Sequence, residues 1–164
     1  MQIYQQGKVE AVSSSKKGGI PKNPKDSIEI FNLGVRDDYH SGEINFHANK
    51  NNPNRQISVV ANEVIEDINS QIGEKIFPGS IGENILVEGL GDLSHIASGD
   101  ILKIGKSVTL RVTDQNQPCV TLNSIDNRIL KLIVGRRGFV ASVESTGYIY
   151  PNDTVKLIPK KENV

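Results

Sequence analysis

Cys119 is the first candidate for chemistry because it is the only cysteine in the sequence. It follows Pro118 and ends a polar segment, residues 114–118, that interrupts a strand-like pattern. A thiol that leaves a strand beside a fixed turn is more readily presented at a rim, although a lone cysteine is commonly an inert core residue. As a thiolate it is a nucleophile and a soft metal ligand. A single cysteine also excludes an intramolecular disulfide and a site built from several thiolates.

A second candidate is the polar segment 36–42, RDDYHSG. It places a cation, two carboxylates, a phenol and an imidazole in succession. His40 could act as a general acid or base, or as a hydrogen-bond donor, near neutral pH. A solvated loop is the alternative interpretation. The spacing of His40, His47 and His95 does not match a zinc site, so zinc is not expected.

A third candidate is the turn-rich segment 78–84, PGSIGEN. Its two glycines would let backbone N–H groups approach an anion or a cofactor, and a simple tight turn is the alternative. The segment matches neither a P-loop nor a dinucleotide fingerprint. Basic residues recur around these loops and could bind a phosphate, namely Lys16, Lys17, Lys22, Arg55, Arg136 and Arg137. Ordinary surface charge is the alternative, and it is the interpretation that we prefer for Lys16 and Lys17.

The chain has 164 residues, which is enough for one domain. Its 19 basic residues balance 19 acidic ones, and a zero net charge disfavours a dedicated nucleic-acid binder. No apolar run approaches the roughly twenty residues that span a bilayer, and the N-terminal residues lack a signal-peptide pattern. We therefore expect a cytoplasmic protein that binds neither nucleic acid nor membrane.

The elements that must position these residues are mostly short strands. Period-two alternation between turn residues predicts strands at 8–13, 27–33, 56–60, 85–88, 101–104, 107–113, 139–145 and 154–158. Helical spacing predicts a helix at 62–72, capped by Asn62 and ended by Gly73, and a second helix at 123–134. Loops are predicted at 15–25 and 34–54, a turn at 146–147 and a loose tail at 160–164. This pattern is typical of a single β-rich α+β domain, with two main helices, whose strands close into a barrel.

Six motifs follow one another from Gly7 to Cys119, and a closing hairpin (GFVASVESTGYIYPNDTVKL) extends the pattern to about residue 159. They are a strand with a Lys-containing loop (GKVEAVSSSKKGGIPK), an Asp-x-His-x-Gly segment (DDYHSG), an Arg-Gln strand (RQISVV), a Pro-Gly-x-x-Gly-Glu-Asn turn (PGSIGEN), a Gly-Asp strand (GDILKIG) and a Pro-Cys after a Val-Thr strand. In this order they resemble the MOSC family, the domain named after the C-terminal part of molybdenum cofactor sulfurases. The resemblance is to a short, stand-alone, prokaryote-type member.

The resemblance implies a β-barrel domain with its cysteine beside a molybdenum or sulfur centre. In the family that cysteine is proposed to carry sulfur as a persulfide or to coordinate the molybdenum of the pterin cofactor, and this role carries over to Cys119. The Asp-x-His pair carries over as Asp38 and His40, with catalytic roles. The implied cofactor-binding residues are Lys22, Arg55, Gly82, Glu83, Asn84 and Arg137. Asp37 and Asn152 stand where the family has glycine.

Two functions follow from the resemblance. The first is a domain that binds the molybdenum cofactor (molybdopterin) or handles sulfur, including the catalytic part of a reductase of N-hydroxylated compounds with an external electron donor. The second is a non-enzymatic carrier that takes sulfur from a donor such as a cysteine desulfurase, or passes cofactor to an apo-molybdoenzyme. Pyridoxal phosphate is not expected, because 164 residues leave no room for the domain that binds it in larger family members. A structural barrel with an inert cysteine is the remaining alternative.

Overall fold

The computed structural model describes residues 5–41 and 53–160. The strands are β1 (Gln5–Ser14), β2 (Asn23–Lys25), β3 (Ile28–Phe31), β4 (Gly34–Val35), β5 (Ile57–Ala61), β6 (Ile85–Glu88), β7 (Ile101–Ile104), β8 (Val108–Gln115), β9 (Phe139–Ser145), β10 (Gly147–Ile149) and β11 (Thr154–Ile158). The helices are α1 (Asn62–Ile72) and α2 (Ile129–Ile133), with 3-10 turns at Pro53–Arg55 and Val120–Ser124. Gly42, His47, most of the predicted loop 34–54 and the end of the predicted tail lie outside the described residues.

Seven strands close into a barrel in the order β11-β7-β8-β9-β5-β6-β1. The ring closes because β1 is long enough to pair with two strands: residues 5–8 pair with β11 and residues 8–12 pair with β6. Neighbouring strands are antiparallel except β5 and β6, which are parallel and are joined through α1. The predicted β-rich α+β barrel is confirmed, and closure removes the free strand edges that an open sheet would expose.

Alternate aliphatic side chains fill the barrel interior. Val108, Leu110 and Val112 of β8 are buried on one face, as their spacing predicts. Leu102 and Ile104 are buried on the neighbouring strand β7. Burying one such side chain contributes roughly 1.5–3 kcal/mol relative to exposure, so the period-two pattern fixes which face of each strand points inward.

Helix α1 covers one side of the barrel with the apolar residues that the spacing singles out, Val64, Ile65, Ile68 and Ile72. It ends at Gly73, which has a φ of 93° and donates its N–H to the carbonyl of Asn69 at 2.9 Å. The prediction that Asn62 caps this helix is wrong. Because β5 runs directly into α1, Asn62 is already helical, and its side-chain amide donates to Glu66 Oε1 at 3.2 Å. Within the described residues, no helix combines the length and the apolar character needed to cross a membrane.

The predicted single helix over 123–134 is also wrong, because the chain forms a 3-10 turn and then the short helix α2. Asp126 separates the two: its Oδ1 accepts the backbone N–H of Arg128 at 2.9 Å, and its Oδ2 accepts from Lys75 Nζ at 2.7 Å. An aspartate that binds a backbone N–H two residues ahead competes with helix formation. The hydrogen bonds from the Arg128 side chain, and then from Lys75, hold the pKa of Asp126 below its usual range.

Three short strands form where loops or a turn are predicted. Strand β2 flanks β1 outside the ring, where the missing N–H of Pro24 disrupts no central ladder. Strands β10, β3 and β4 form a separate three-stranded sheet, in which Gly147 pairs with Ile30. Strand β10 pairs with a strand more than a hundred residues earlier in the chain, so no local pattern indicates it. Strand β4 pairs with the adjacent strand β3 and is only two residues long, too short to show an alternation of its own.

Candidate functional site

One cleft of about 270 Å³ brings together seven of the nine residues that the resemblance singles out. It lies where the loop after β1, the 78–84 turn and the segment before the 3-10 turn Val120–Ser124 meet. The seven are Lys22, His40, Arg55, Gly82, Asn84, Cys119 and Arg137. Asp38 and Glu83 are buried and do not line the cleft.

Cys119 is exposed in this cleft, which confirms the predicted presentation of its thiol at a rim. It directly precedes the 3-10 turn Val120–Ser124. Hydrogen bonds from the side chain and then the backbone N–H of Thr121, together with the positive charge of Arg137, lower the pKa of the Cys119 thiol. More of this thiol is therefore thiolate at neutral pH than of an ordinary cysteine.

Arg137 ties two walls of the cleft together. Its Nη1 donates to the Gln117 carbonyl at 2.7 Å, and its Nη2 donates to the Ile81 carbonyl at 3.2 Å. Arg55 lines the same cleft, and its Nη2 donates to Asn116 Oδ1 at 3.2 Å. Burial lowers the pKa of Arg137, and the nearby charge of Arg55 lowers it further. Two guanidiniums that repel each other make a cleft that favours an anion between them.

A buried ion pair holds the loop after β1. Lys22 Nζ lies 2.7 Å from both carboxylate oxygens of Asp38, and the two side chains are 2% and 0% exposed. Asp38 Oδ1 also accepts the backbone N–H of Ser15 at 3.0 Å. Burial lowers the pKa of Lys22, and Asp38 opposes that change. Asp38 therefore neutralises Lys22 and fixes the loop rather than contacting a ligand in the cleft.

Glu83 plays a similar scaffolding part in the 78–84 turn. Its Oε2 accepts the backbone N–H of Gly79 at 2.7 Å, and its buried Oε1 has no hydrogen-bond partner among the described residues. Burial raises the pKa of Glu83 to about 7, although the Gly79 N–H and the charge of Arg137 act in the opposite direction. Glu83 is thus a carboxyl group that changes charge near neutral pH behind the cleft wall.

Asn84 and Gly82 shape the inner face of that turn. Asn84 Oδ1 accepts the backbone N–H of Ser58 at 3.1 Å, and Asn84 Nδ2 donates to the Ser13 carbonyl at 3.2 Å, so the turn is bound to β5 and β1. Gly82 has a φ of 88°, a conformation that favours glycine. A Cβ at Gly82 would also lie 3.1 Å from the side chain of Ile20 across the cleft.

His40 lines the cleft, and its ring packs edge-on against Tyr39, with ring centroids 5.2 Å apart. Its backbone N–H donates to Asp38 Oδ2 at 3.3 Å.

Asp37 has a φ of 64° and Asn152 a φ of 75°, so both adopt the left-handed conformation expected where the family has glycine.

The cleft also contains polar residues that the sequence reasoning missed, Ser58, Asn116, Gln117 and Thr121. Thr121 and Gln117 each lie two residues from Cys119, so their proximity in sequence was an available signal. Ser58 gave no such signal, because it is a polar residue inside the apolar strand β5 and reaches the cleft only through the pairing of β5 with the 78–84 turn.

Comparisons with known proteins agree with this architecture. The family model described as the MOSC domain matches residues 39–156, well over half of the chain. A Gibberella moniliformis protein named "Reductase" is 36% identical over 86 residues, which are 50% of this chain and 15% of that protein. A Bacillus subtilis protein named "Putative metal-sulfur cluster biosynthesis proteins YuaD" is 26% identical over 115 residues, which are 63% of this chain and 60% of that protein. The matched part of this chain thus spans less than two thirds of either relative.

Solved structures show the same fold. The crystal structure of YuaD from Bacillus subtilis superposes with a TM-score of 0.81 at 21% identity, over 96% of this chain and 98% of that one. The crystal structure of YiiM from Geobacillus stearothermophilus gives a TM-score of 0.71 at 20% identity, over 93% of this chain and 75% of that one.

Proposed function

The chain belongs to the MOSC domain family, and from this premise we propose that its cleft binds the molybdenum cofactor with the Cys119 sulfur as a ligand to molybdenum. We further propose that the domain is the catalytic part of a reductase of N-hydroxylated compounds, supplied with electrons by an external donor. The observation that carries the proposal is the cleft itself, which joins an exposed thiol of lowered pKa to Arg55 and Arg137. A soft ligand beside two cations suits a metal centre that carries a phosphate.

The donor set fits the cofactor. Cys119 would bind the metal, Arg55 and Arg137 would bind the phosphate, and the backbone of Gly82 would form the opposite wall. Lys22 is already neutralised by Asp38, so we assign it to positioning the wall rather than to holding the phosphate.

When bound, the cofactor supplies two-electron redox chemistry at molybdenum. The residues of the protein would hold the cofactor and supply protons in the cleft. His40 faces the cleft and is the residue that we propose to hold or release a proton there at near-neutral pH. The name of the fungal relative, a reductase, supports this proposal.

A second candidate is sulfur transfer, which the exposed, readily ionised thiol and the name of the Bacillus subtilis relative favour. In that reaction the Cys119 thiolate attacks the outer sulfur of a persulfide on a donor such as a cysteine desulfurase. A new S–S bond forms at Cys119, the S–S bond of the donor breaks, and the donor leaves as a thiolate. The sulfur changes carriers without any net oxidant.

The deciding experiment is the molybdenum and pterin content of protein purified from a host that makes the cofactor. We expect near-stoichiometric molybdenum in the wild type and little in Cys119→Ser. Val120→Ala is the matched control, because it changes the exposed neighbour of Cys119 and leaves the thiol in place. Molybdenum absent from the wild type would contradict cofactor binding, and equal loading of Cys119→Ser would contradict only the ligand role.

The sulfur-transfer candidate is tested by mass spectrometry after incubation with a cysteine desulfurase and cysteine. A mass gain of one sulfur atom at Cys119 would support it. A wild-type protein that stays unmodified while the desulfurase turns over would rule it out.

A further inference from the structure

A broad groove of about 780 Å³ lies on the other side of the loop that walls the cleft. Its cationic residues are Lys16, Lys17, Lys25 and Arg36, and we call it the basic groove. We propose that the basic groove is a docking surface for an acidic segment of a partner protein. The inference goes beyond the proposed function, since it requires neither cofactor nor thiol chemistry.

The charge of the basic groove is the first argument. Lys16, Lys17 and Lys25 are exposed, and none of them forms an ion pair with a residue that the structure describes. The lining holds four cations and two carboxylates, Glu29 and Asp37. In a chain of zero net charge, this local excess of positive charge attracts an acidic partner.

The far wall of the groove has the residue types of a protein interface. Glu29 is largely neutralised there, because its Oε2 accepts from Arg36 Nε at 2.9 Å and its Oε1 accepts from the Tyr148 hydroxyl at 3.3 Å. The Arg36 guanidinium lies over the Phe31 ring, 4.3 Å from its centroid. Tyr148 is 53% exposed. Exposed tyrosine and a fixed arginine are enriched at protein interfaces, which favours a peptide segment as the occupant.

The groove lies beside the thiol cleft. Ile20 lines both, and the segment around it alternates, with Gly19 and Lys22 facing the cleft and Pro21 and Asn23 facing the groove. The buried pair of Lys22 with Asp38 holds this wall in place. A partner seated in the groove would therefore contact the outer face of the wall whose inner face borders the cleft of Cys119.

Binding through side chains is the mode that the edge of the groove favours. Strand β2 borders the groove, but Pro24 has no N–H to donate to an added strand. The affinity should therefore depend on charge pairs and fall with salt.

The test uses a fluorescein-labelled dodecapeptide of glutamate and fluorescence anisotropy at low and at physiological salt. The groove variant is Lys16→Glu/Lys17→Glu. The matched control is Lys103→Glu/Lys156→Glu, which changes the net charge equally at a cross-strand pair of exposed lysines on β7 and β11. We expect the wild type to bind the peptide, the groove variant to bind at least roughly tenfold more weakly, and the control to stay within about twofold.

Three results would overturn the proposal. The first is the absence of saturable binding by the wild type at low salt. The second is an equal loss of affinity in the two variants, which would leave only a net-charge effect. The third is tighter binding of a single-stranded dodecanucleotide than of the peptide, which would assign the groove to nucleic acid instead. Thermal unfolding of both variants checks that the charge reversals leave the fold intact.

Discussion

Replacing Glu83 by glutamine should remove a loss of stability that the wild type suffers as the pH rises. Burial raises the pKa of this carboxyl to about 7, because ionisation would place a charge in the protein interior with one oxygen lacking a hydrogen-bond partner. Between pH 4.5 and pH 7 the folded state therefore binds the Glu83 proton more tightly than the unfolded state. The contribution of Glu83 to the free energy of unfolding is complete below pH 4.5 and is lost as the pH rises through 7.

The size of this loss follows from the two pKa values. A folded-state pKa of about 7 against an ordinary value of 4.5 corresponds to a ceiling of roughly 3 kcal/mol, since one pKa unit is about 1.4 kcal/mol. Most of it, about 2 kcal/mol or more, would be lost between pH 5 and pH 8. Little screening by solvent is expected, because Glu83 is only 3% exposed. Glutamine keeps an acceptor for the Gly79 N–H and cannot ionise, so it mimics the protonated side chain.

Urea unfolding of the wild type and Glu83→Gln across pH 5–8 provides the measurement. The difference between the two free energies of unfolding should change by about 2 kcal/mol or more over this range, with Glu83→Gln gaining relative stability at high pH. The other titrating groups contribute equally to the free energy of unfolding of both proteins, so their contributions cancel in this difference. Glu74→Gln, at an exposed glutamate, is the control and should run parallel to the wild type. A difference between wild type and Glu83→Gln that stays constant within 0.5 kcal/mol, as an order-of-magnitude threshold, would refute the reasoning.

Two other substitution pairs test the scaffold. Asp38→Asn leaves Lys22 buried without its carboxylate partner, so we expect the free energy of unfolding in urea to fall by about 3 kcal/mol. Asp37→Asn, at an exposed position, should change it by less than about 0.5 kcal/mol. Gly138→Ala would drive a Cβ into a backbone carbonyl of β5 and should cost about 3 kcal/mol or more. Gly135 also has a positive φ, but the space around it is open, so we expect Gly135→Ala to cost about 1 kcal/mol in the same denaturation measurement. Equal losses for the two alanine variants would contradict the steric argument.

The sequence predicted those elements whose local pattern coincides with their tertiary environment. Strands β6, β7, β9 and β11 have the predicted bounds, and helix α1 ends at the predicted residue, because their periodicity matches the face that they bury. The second helix failed because Asp126 accepts the backbone N–H of Arg128, a local competitor that the helical spacing does not show. The other carboxylate oxygen of Asp126 accepts from Lys75, 51 residues away, and this distant contact cannot be predicted from the local pattern. Strand β10 depends in the same way on its pairing with β3.

The candidate site was predicted as a set of residues but not as an arrangement. The motifs named Asp38 and Glu83 beside Cys119 and His40, and nothing in their spacing shows that the two carboxyl groups are buried. Their burial results from contacts between segments: Asp38 neutralises Lys22, and Glu83 accepts a backbone N–H within its own turn. Such motif positions preserve the shape of the loops, which is a different requirement from contact with a ligand.

This division between buried and exposed groups determines the charge of the cleft. The carboxyl groups of Asp38 and Glu83 lie behind the walls, whereas the guanidiniums of Arg55 and Arg137 lie in the lining with the Cys119 thiol. A ligand in the cleft would therefore meet cations and a soft sulfur. The charge of Asp38 is neutralised by Lys22, and burial keeps Glu83 protonated up to about pH 7. Ionisation of Glu83 above that pH would add a negative charge near Arg137, beside that of the Cys119 thiolate. It would weaken the attraction of Arg137 for an anion. The carboxyl group that we expect to lower the stability at high pH is thus also expected to weaken the positive field of the cleft as the pH rises through about 7.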